Sequence, residues 1–316
     1  MGAEKIALGI DTSNYKTSVA AVSKDGNILF DSRSLLEVKE GERGLRQSEA
    51  FFQHVNKLPD IIAEAMKAGS IRNKIGCVAV SDRPRPIENS YMPVFSAGVS
   101  FAKALSAALR VPLYTFSHQE GHVEAVRYNS SMKGHKRFIF FHFSGGTTEA
   151  VLVDEDRQLF EIVGGSRDIS YGQVIDRIGV SLGIRFPCGT IMDFLAVTCK
   201  EKLSIMPKIK VSDGYFNLSG IETKGQRTVG SCTPYQLSEA VFSRISKSME
   251  EMTLQLSQKY GVDKFLFAGG VCSSVYVREY IKKHLKDKVE LVFGSYDLSG
   301  DNAVGTALLG GSKIWL

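Results

Sequence analysis

Short apolar runs separated by small polar turns make up the first thirty residues of the chain. The dipeptide Asp25-Gly26 falls between two of these runs, a combination that favours a β-hairpin. A similar series of runs and turns recurs near the middle of the chain. Two copies of strand, turn, strand, turn and strand predict a duplicated fold, although two unrelated antiparallel meanders would look alike. The predicted strands are 5–10, 17–22 and 27–30 in the first copy, and 138–143, 149–153 and 158–163 in the second.

Apolar positions between and after these copies recur with either helical or strand spacing. Strands that alternate with helices in this way predict an α/β fold with a mostly buried sheet. A basic, polar break at 133–137 is a candidate boundary between two lobes, although such a run is more typical of a solvated loop. The predicted helices are 47–68, 94–109, 171–182, 190–202, 234–260, 275–285 and 301–311, and the further strands are 76–81, 111–116, 264–267 and 289–293.

The composition is typical of a globular protein that is large enough to divide into two lobes. The 316 residues are 43% hydrophobic and 23% charged, and the formal net charge of +5 permits, but does not require, contact with a polyanion. Five cysteines without a Cys-x-x-Cys pair indicate reduced thiols in a cytoplasmic protein. We find no apolar signal-peptide segment, and the longest apolar runs, such as 138–141, are far shorter than a membrane span. The sequence therefore predicts a soluble cytoplasmic protein with no membrane partner.

His118 and His122 stand four residues apart, a spacing that places both imidazoles on one face of a helix, about 5–6 Å apart. Two imidazoles at that distance can bind one metal ion, although two surface histidines can also fall at this spacing by chance. The helix of a zinc protease requires Glu directly after the first His, where this chain has Gln119. The pair therefore predicts a metal site and excludes a zinc protease of that type.

Three turns of small residues follow predicted strands, at 11–14, 144–148 and 269–273. Free backbone N–H groups and hydroxyls in such turns can bind phosphate. A single glycine-rich turn is more often only a tight turn. Three of them, with two at matching places in the apparent duplication, favour a nucleotide site.

Three carboxylates stand at positions that need an explanation. Asp301 lies at the predicted start of the last helix, where a helix N-cap is its plainest role. Asp176 and Asp193 lie in otherwise apolar helices, where an unpaired buried carboxylate is costly. Each of these two therefore lies on an exposed face or accepts hydrogen bonds from a ligand.

Taken in order, these segments resemble the TsaD family, also called Gcp or the Kae/Qri group, within the actin-like ATPase superfamily. The resemblance covers nearly the whole chain and implies an α/β, actin-like ATPase (ASKHA) fold with two duplicated lobes, each a mixed five-stranded sheet flanked by helices. The N-terminal lobe would be 1–116, with the C-terminal helix 296–316 packed back on it, and the C-terminal lobe would be 117–295. The motifs that carry the resemblance are 10–13, 117–122, 144–148, 174–177, 186–189 with Asp193, 216–220, 268–271 and 301–303.

The resemblance implies transfer of a threonylcarbamoyl group from threonylcarbamoyl-AMP to N6 of the adenosine that follows the tRNA anticodon. His118, His122 and Asp301 would bind one divalent metal, iron or zinc, as a Lewis acid for the acyl phosphate. The acceptor would be tRNA, and the partners would be TsaB-like and TsaE-like proteins or a second copy in a homodimer. The nucleotide ligand would be ATP, ADP or threonylcarbamoyl-AMP. The residues that would bind it are Ser13, Ser144, Gly145, Gly146, Thr147, Thr148, Asp176, Gly189, Asp193, Gly269, Gly270 and Ser274.

Several functional positions depart from the family pattern. The first turn, usually Cys-Asp-Glu after Thr-Ser, reads Asn14-Tyr15-Lys16, which replaces two acidic groups by a phenol and an ammonium. Ser274 stands where the family has Asn. His142, at a place where some relatives have a metal-binding Tyr, is predicted to be a fourth metal ligand, and the alternative is a core histidine on a strand.

Two other functions stay open at this point. A diverged paralogue could keep the nucleotide and metal sites but act as a regulatory or binding subunit, or carbamoylate another acceptor. The departures at 14–16, 147 and 274 favour considering it. A sugar or acetate kinase of the same superfamily would use an acidic residue such as Asp11, but it has no use for the pair of histidines.

Overall fold

The chain folds as two compact units. The first unit is made of Met1–Asn129 and Gly300–Leu316, and the second is Ser130–Ser299. Asn14, which begins the altered turn, and Gln158, the predicted first residue of a strand, lie outside the described residues. The structure is a computed structural model that describes residues 5–13, 15–38, 45–128, 130–157 and 159–315.

Strands and helices alternate along most of the chain. The strands are β1 Ile6–Asp11, β2 Lys16–Val22, β3 Ile28–Leu35, β4 Ile75–Arg83, β5 Leu113–Ser117, β6 Arg137–Phe143, β7 Thr148–Asp154, β8 Leu159–Ser166, β9 Tyr215–Phe216, β10 Lys264–Ala268 and β11 Glu290–Phe293. The helices are α1 Gln47–Lys67, α2 Gly69–Arg72, α3 Phe95–Leu109, α4 His118–Tyr128, α5 Tyr171–Ser181, α6 Gly189–Thr198, α7 Ser219–Thr228, α8 Pro234–Tyr260, α9 Val275–Leu285, α10 Tyr296–Ser299 and α11 Val304–Ser312.

The sheet of the first unit has the strand order β3-β2-β1-β4-β5. Its central strand β1 runs antiparallel to β2 and parallel to β4. Every residue of β1 is buried, because helices cover both faces of the sheet. On one face α11 packs so closely that a Cβ added at Gly9 would overlap the carbonyl oxygen of Ala303. On the other face Thr12 Oγ1 accepts a hydrogen bond of 3.1 Å from the backbone N–H of Gly98 in α3.

The sheet of the second unit repeats this order in β8-β7-β6-β10-β11, with β6 antiparallel to β7 and parallel to β10. The match confirms the predicted duplication. The prediction of a five-stranded sheet is right for the first unit, but within the described residues β9 adds a sixth strand beside β8 in the second. Aromatic rings fill the core between strand and helix, and the rings of Phe141 and Phe267 pack edge to face with centroids 4.9 Å apart.

The boundary between the units differs from the predicted lobe boundary. The second lobe was expected to start at residue 117, whereas the second unit starts at Ser130 and α4 belongs to the first. The cause is a close contact between α4 and α11, where a Cβ added at Gly305 would overlap the carbonyl oxygen of Gly121. The helix that carries the histidine pair is thereby tied to the helix that follows Asp301.

Most predicted helices are present with ends that shift by a few residues, and α8 and α9 have the predicted ends. Two differences matter for the site. The last helix begins at Val304 rather than at residue 301, and α7 was not predicted. The start of α7 is held by the carboxylate of Asp168, which accepts hydrogen bonds from the N–H groups of Leu218 at 2.8 Å and Ser219 at 2.9 Å.

Across the described part of the chain, none of the helices combines the length and apolar character needed to cross a lipid bilayer.

Candidate metal centre and phosphate-binding turns

α4 begins directly at the end of β5, so that no loop separates the strand from the first histidine. Ser117 and Glu120 fix this start with a reciprocal pair of hydrogen bonds. The Glu120 carboxylate accepts from the N–H of Ser117 at 2.7 Å, and the Ser117 hydroxyl accepts from the N–H of Glu120 at 3.1 Å. The helix therefore presents His118 and His122 from its first two turns on one side.

The predicted metal ligands lie together in the first unit. The two Nε2 atoms of His118 and His122 are 3.0 Å apart, and Oδ1 of Asp301 lies 3.6 Å from the first and 3.4 Å from the second. A tetrahedral ion with bonds of about 2.0–2.1 Å places its ligand atoms about 3.3 Å apart, so the three atoms fit one ion. The predicted lobe boundary at residue 117 would divide these three side chains between two lobes, but all three belong to one unit.

A fourth residue, Asp11, orients the first histidine. Oδ1 of Asp11 lies 2.9 Å from Nδ1 of His118, and Oδ2 accepts a hydrogen bond of 2.6 Å from the hydroxyl of Ser13. A carboxylate behind a metal-binding imidazole holds the proton on the far nitrogen and leaves the near nitrogen free to bind the ion. The sequence alone indicates Asp11 only as part of a turn and as the acidic residue that a kinase would use. Its position at the end of a fully buried strand was the available signal, because a buried carboxylate needs a partner.

Charge is tightly coupled within this centre. Burial favours the neutral imidazole of His118, but Asp11 and Asp301 outweigh it and raise the pKa of His118 to about 10. Burial would raise the pKa of Asp301, yet its contacts with both histidines hold that pKa well below the usual range. Burial and the neighbouring His118 together lower the pKa of His122. Without a metal, the centre therefore holds one imidazolium between two carboxylates. A divalent cation can replace the imidazolium proton as the positive charge between them.

The plain role expected for Asp301, a helix N-cap, falls to its neighbour. Oδ1 of Asn302 accepts hydrogen bonds from the N–H groups of Val304 at 3.0 Å and Gly305 at 3.4 Å, at the start of α11. The carboxylate of Asp301 is left to face the imidazoles. Two adjacent polar residues thus divide the two roles that the sequence left open.

Two of the predicted phosphate-binding turns lie side by side in the second unit. The turn at 144–148 follows β6 and the Gly269-Gly270 turn follows β10, and these neighbouring strands run parallel with Ala268 opposite His142. Gly269 has a φ of +96° and lies against the carbonyl of Phe143, where no side chain would fit. Both turns therefore lie at the same edge of the sheet, as expected for a ligand site at the carboxyl ends of parallel strands.

The turn at 144–148 is closed by its own hydrogen bonds. The N–H of Ser144 donates to the carbonyl of Thr147 at 2.8 Å, and the N–H of Thr147 donates to the hydroxyl of Ser144 at 3.1 Å. Gly145 and Gly146 at its tip are exposed. The N-terminus of α5 lies against this turn, because the Ser170 hydroxyl donates to the carbonyl of Gly145 at 2.6 Å. The backbone N–H groups and the helix N-terminus suit an anion.

The carboxylates Asp176 and Asp193 are used by the chain itself. Oδ1 of Asp176 accepts a hydrogen bond of 2.8 Å from the N–H of Cys188, next to Gly189 at the start of α6, and burial raises the pKa of Asp176. Asp193 accepts from the hydroxyl of Ser274 at 2.6 Å and from the N–H of Val275 at 2.8 Å, at the start of α9. Neither of the two predicted alternatives, an exposed face or a bound ligand, included backbone partners of this kind. Their roles toward a nucleotide, and that of Ser274, stay predictions.

Two predicted site residues belong to a different unit from the residues with which they were grouped. Ser13, predicted to bind the nucleotide, donates its buried hydroxyl to Asp11 in the metal centre of the first unit. His142, predicted as a fourth metal ligand, lies on β6 of the second unit, where its ring stacks on that of Phe140 at 6.1 Å. Its part in metal binding stays a prediction.

Known sequences resemble this chain over most of its length. The model of the family described as tRNA N6-adenosine threonylcarbamoyltransferase matches residues 34–308. Proteins with that name from Listeria welshimeri, Enterococcus faecalis and Caldicellulosiruptor saccharolyticus are 27%, 28% and 28% identical to it. The alignments cover 96%, 95% and 98% of this chain, and 90%, 87% and 93% of the relatives.

Solved structures share the fold at much lower identity. HypF of T. kodakarensis gives a TM-score of 0.66 at 13% identity and covers 99% of this chain and 48% of its own. Component A of (R)-2-hydroxyglutaryl-CoA dehydratase from Acidaminococcus fermentans gives 0.59 at 12%, covering 99% of both chains. A ROK family glucokinase from Streptomyces griseus gives 0.56 at 13%, covering 98% of this chain and 99% of its own. These neighbours confirm the predicted actin-like ATPase fold.

Proposed function

Because this chain belongs to the tRNA N6-adenosine threonylcarbamoyltransferase family, we propose that it transfers a threonylcarbamoyl group from threonylcarbamoyl-AMP to N6 of the adenosine that follows the tRNA anticodon. In this reaction N6 attacks the carbamoyl carbon, the bond from that carbon to the phosphate oxygen breaks, and AMP leaves as N6 loses a proton. The observation that carries the proposal is the triad of His118, His122 and Asp301, whose ligand atoms fit one divalent ion.

The triad supports iron or zinc as the bound ion, since two imidazoles and one carboxylate suit both metals. When bound, such an ion would supply a Lewis acid for the acyl phosphate. Asp11 would keep the proton at Nδ1 of His118 and so leave Nε2 free to bind the ion. His142 is proposed as a further ligand that would complete the set.

The turns of the second unit support a nucleotide ligand, either threonylcarbamoyl-AMP or ATP and ADP. We assign the phosphate to the exposed glycines at the tip of 144–148 and the N-terminus of α5. Gly269-Gly270 and Ser274 would flank the adenine, and Asp176, Gly189 and Asp193 would lie near the ribose. Asp176, Asp193 and Ser274 are already ordered by hydrogen bonds within the chain, which would lower the entropic cost of binding.

Partners follow from the same assignment. The acceptor is tRNA, and the helper proteins would be TsaB-like and TsaE-like, or a second copy of this chain in a homodimer. Exposed aromatic side chains on α1, with Phe52 68% exposed and Phe51 38% exposed, support an interface on the first unit. We propose the cytoplasm as the place of action, where tRNA is available.

The family match favours transfer over the regulatory or binding role that the altered motifs allow. The kinase alternative rests on fold alone, since the ROK glucokinase is 13% identical to this chain. Reconstitution of the reaction distinguishes transfer from the regulatory or binding role. The zinc- or iron-loaded protein is incubated with threonylcarbamoyl-AMP, unmodified tRNA and the helper proteins of its own source, and the digested tRNA is examined for the modified nucleoside by mass spectrometry.

We expect the modified nucleoside with the unaltered chain and background levels with His122→Ala. His135→Ala is the matched control, because His135 lies in a loop of the second unit and should leave transfer intact. Binding of threonylcarbamoyl-AMP without transfer would establish the binding role instead. Absence of both binding and transfer would reject the proposed function.

A further inference from the structure

Lys16 opens β2 on the side of the sheet that faces the metal centre. Ser18, two residues further along the same strand, pairs with Asp11 in the register of β1 and β2. Residues two apart on a strand share a face, so Lys16 lies on the face that carries Asp11. A Cβ added at Gly300 would lie 3.2 Å from Nζ of Lys16. The ammonium therefore lies against the residue that directly precedes the metal ligand Asp301.

Lys16 is half-buried, and within the described ranges no carboxylate forms a salt bridge with its ammonium. The carboxylates of the centre, Asp11 and Asp301, are committed to the imidazoles. By contrast, Lys57 of the same unit satisfies its ammonium on the Ser34 hydroxyl at 3.0 Å. A ligand oxyanion could therefore accept a charge-assisted hydrogen bond from this ammonium.

A second polar group on this face is also unused. The hydroxyl of Ser18 is fully buried and has no hydrogen-bond partner among the residues that the structure describes. Buried hydroxyls in native proteins are almost always paired with protein groups or ordered water. The strand that continues inward from Lys16 thus keeps a buried, unpaired hydroxyl directly across from Asp11.

We propose that Lys16 forms an anion subsite beside the metal centre, which receives a carboxylate oxygen of the ligand. The assignment of that oxygen to the threonine carboxylate of threonylcarbamoyl-AMP, whose phosphate is assigned to the turn at 144–148, rests on the proposed function. The ion and the ammonium would then neutralise the ligand from two sides. Lys16 acts here by binding and orienting the ligand, while the triad keeps the metal.

The test measures anion affinity by calorimetry on the zinc-loaded full chain, with inorganic phosphate and N-carbamoyl-L-threonine as separate probes. Lys16→Gln removes the charge, Lys16→Arg keeps it, and Lys103→Gln is the matched control on the exposed side of α3. A charge-assisted hydrogen bond predicts a loss of about tenfold or more in Lys16→Gln. Lys16→Arg should recover most of that affinity, and Lys103→Gln should match the unaltered chain. Zinc content should stay at one ion per chain in all variants.

We expect the loss of affinity for N-carbamoyl-L-threonine, and a loss for inorganic phosphate alone would overturn the carboxylate subsite. Equal affinity of Lys16→Gln and the unaltered chain for both anions overturns the subsite, as does absence of measurable binding of either anion to the unaltered zinc-loaded chain. The result is independent of the transferase assay. Normal transfer with unchanged anion binding in Lys16→Gln would reject the subsite alone, and anion binding that depends on Lys16 without transfer would reject the function alone.

Discussion

At the scale of single residues, the bond between Asp11 and His118 decides which imidazole nitrogen faces the centre. Asp11→Asn keeps the shape of the side chain but removes the charge that holds the proton at Nδ1. Loss of such a supporting partner typically weakens metal binding about 10–100-fold. We expect a loss of zinc affinity in that range, measured by competition with a chromogenic chelator.

Asp168→Asn is the matched control for this change. Its carboxylate caps α7 in the second unit and should not affect zinc affinity. If Asp11→Asn and Asp168→Asn bound zinc equally well, the carboxylate would have no orienting role.

The same bond has a consequence for pH. The carboxylates raise the pKa of His118 to about 10, so without metal both ring nitrogens of His118 carry a proton at pH 7. Zinc must displace the proton on Nε2 of His118. Zinc affinity should therefore rise as pH increases toward that pKa and fall as pH decreases. We expect release of about one proton per zinc ion at pH 7.

Calorimetric titration in two buffers with different ionisation enthalpies measures this release. In Asp11→Asn the pKa of His118 should drop and fewer protons should be released. A binding enthalpy that is the same in both buffers would contradict the protonated centre.

Residue roles were predictable from sequence where the partners are local. The spacing of His118 and His122 was enough to place both imidazoles on one side of a helix. The sequence did not show whether Asp301 or Asn302 caps α11, because Asp and Asn can both cap a helix. The structure gives this role to Asn302. Asp193 lies 81 residues before its partner Ser274, and nothing local to either residue indicates that pairing.

At the scale of elements, the contact of α4 with α11 fixes the distance between the histidine pair and Asp301. Gly305 allows this contact, since a side chain there would overlap the backbone of Gly121. Gly305→Ala should push the helices apart and destabilise the fold by about 1–3 kcal/mol, the usual cost of overpacking. Zinc affinity should fall with it, because the ligands move apart. Chemical denaturation and chelator competition measure the two effects.

Gly69→Ala is the control within the same unit. Gly69 opens α2, and no described atom lies within 4 Å of a Cβ added there. Its effect on the free energy of unfolding should stay within about 1 kcal/mol and can be stabilising. Equal stability and zinc affinity of Gly305→Ala and the unaltered chain would show that the helices tolerate the extra atom.

Helices whose capping residues are adjacent in the sequence were predicted with correct ends. α8 starts after the cap Thr233 with Pro234 in its first turn, and Gly261 in the left-handed conformation follows its end. Residues of these types at these positions predict both ends of the helix. α7 carries few apolar residues, and its start depends on Asp168, which lies 50 residues before Leu218. A contact of that range cannot be inferred from local periodicity.

At the scale of the whole molecule, the same strand order carries two different candidate sites. The turn after β1 in the first unit lies beside the candidate metal centre, through Asp11 and Ser13. The equivalent turn after β6 in the second unit, 144–148, is exposed, rich in glycine and set against a helix N-terminus. Duplication thus supplied two similar edges, and the side chains at each edge decide whether it suits a cation or a phosphate.

This division predicts that the two ligands protect different units, which hydrogen–deuterium exchange with mass spectrometry can resolve. All three proposed metal ligands belong to the first unit, so zinc should slow exchange in α4 and in residues 300–312. AMP without metal should slow exchange at 144–148 and 269–274 of the second unit. A ligand at about 100 times its dissociation constant stabilises the bound form by about 2.7 kcal/mol, enough to slow local opening about 100-fold.

His122→Ala provides the internal control, because it should abolish zinc protection in α4 and leave AMP protection unchanged. Asp11 should respond to zinc as well, since β1 holds the carboxylate that orients His118. Protection by zinc that appeared in the second unit but not in α4 would contradict the metal assignment. Protection by AMP that appeared in α4 but not at 144–148 would contradict the phosphate assignment, because it would place the phosphate beside the histidines rather than at the glycine turn.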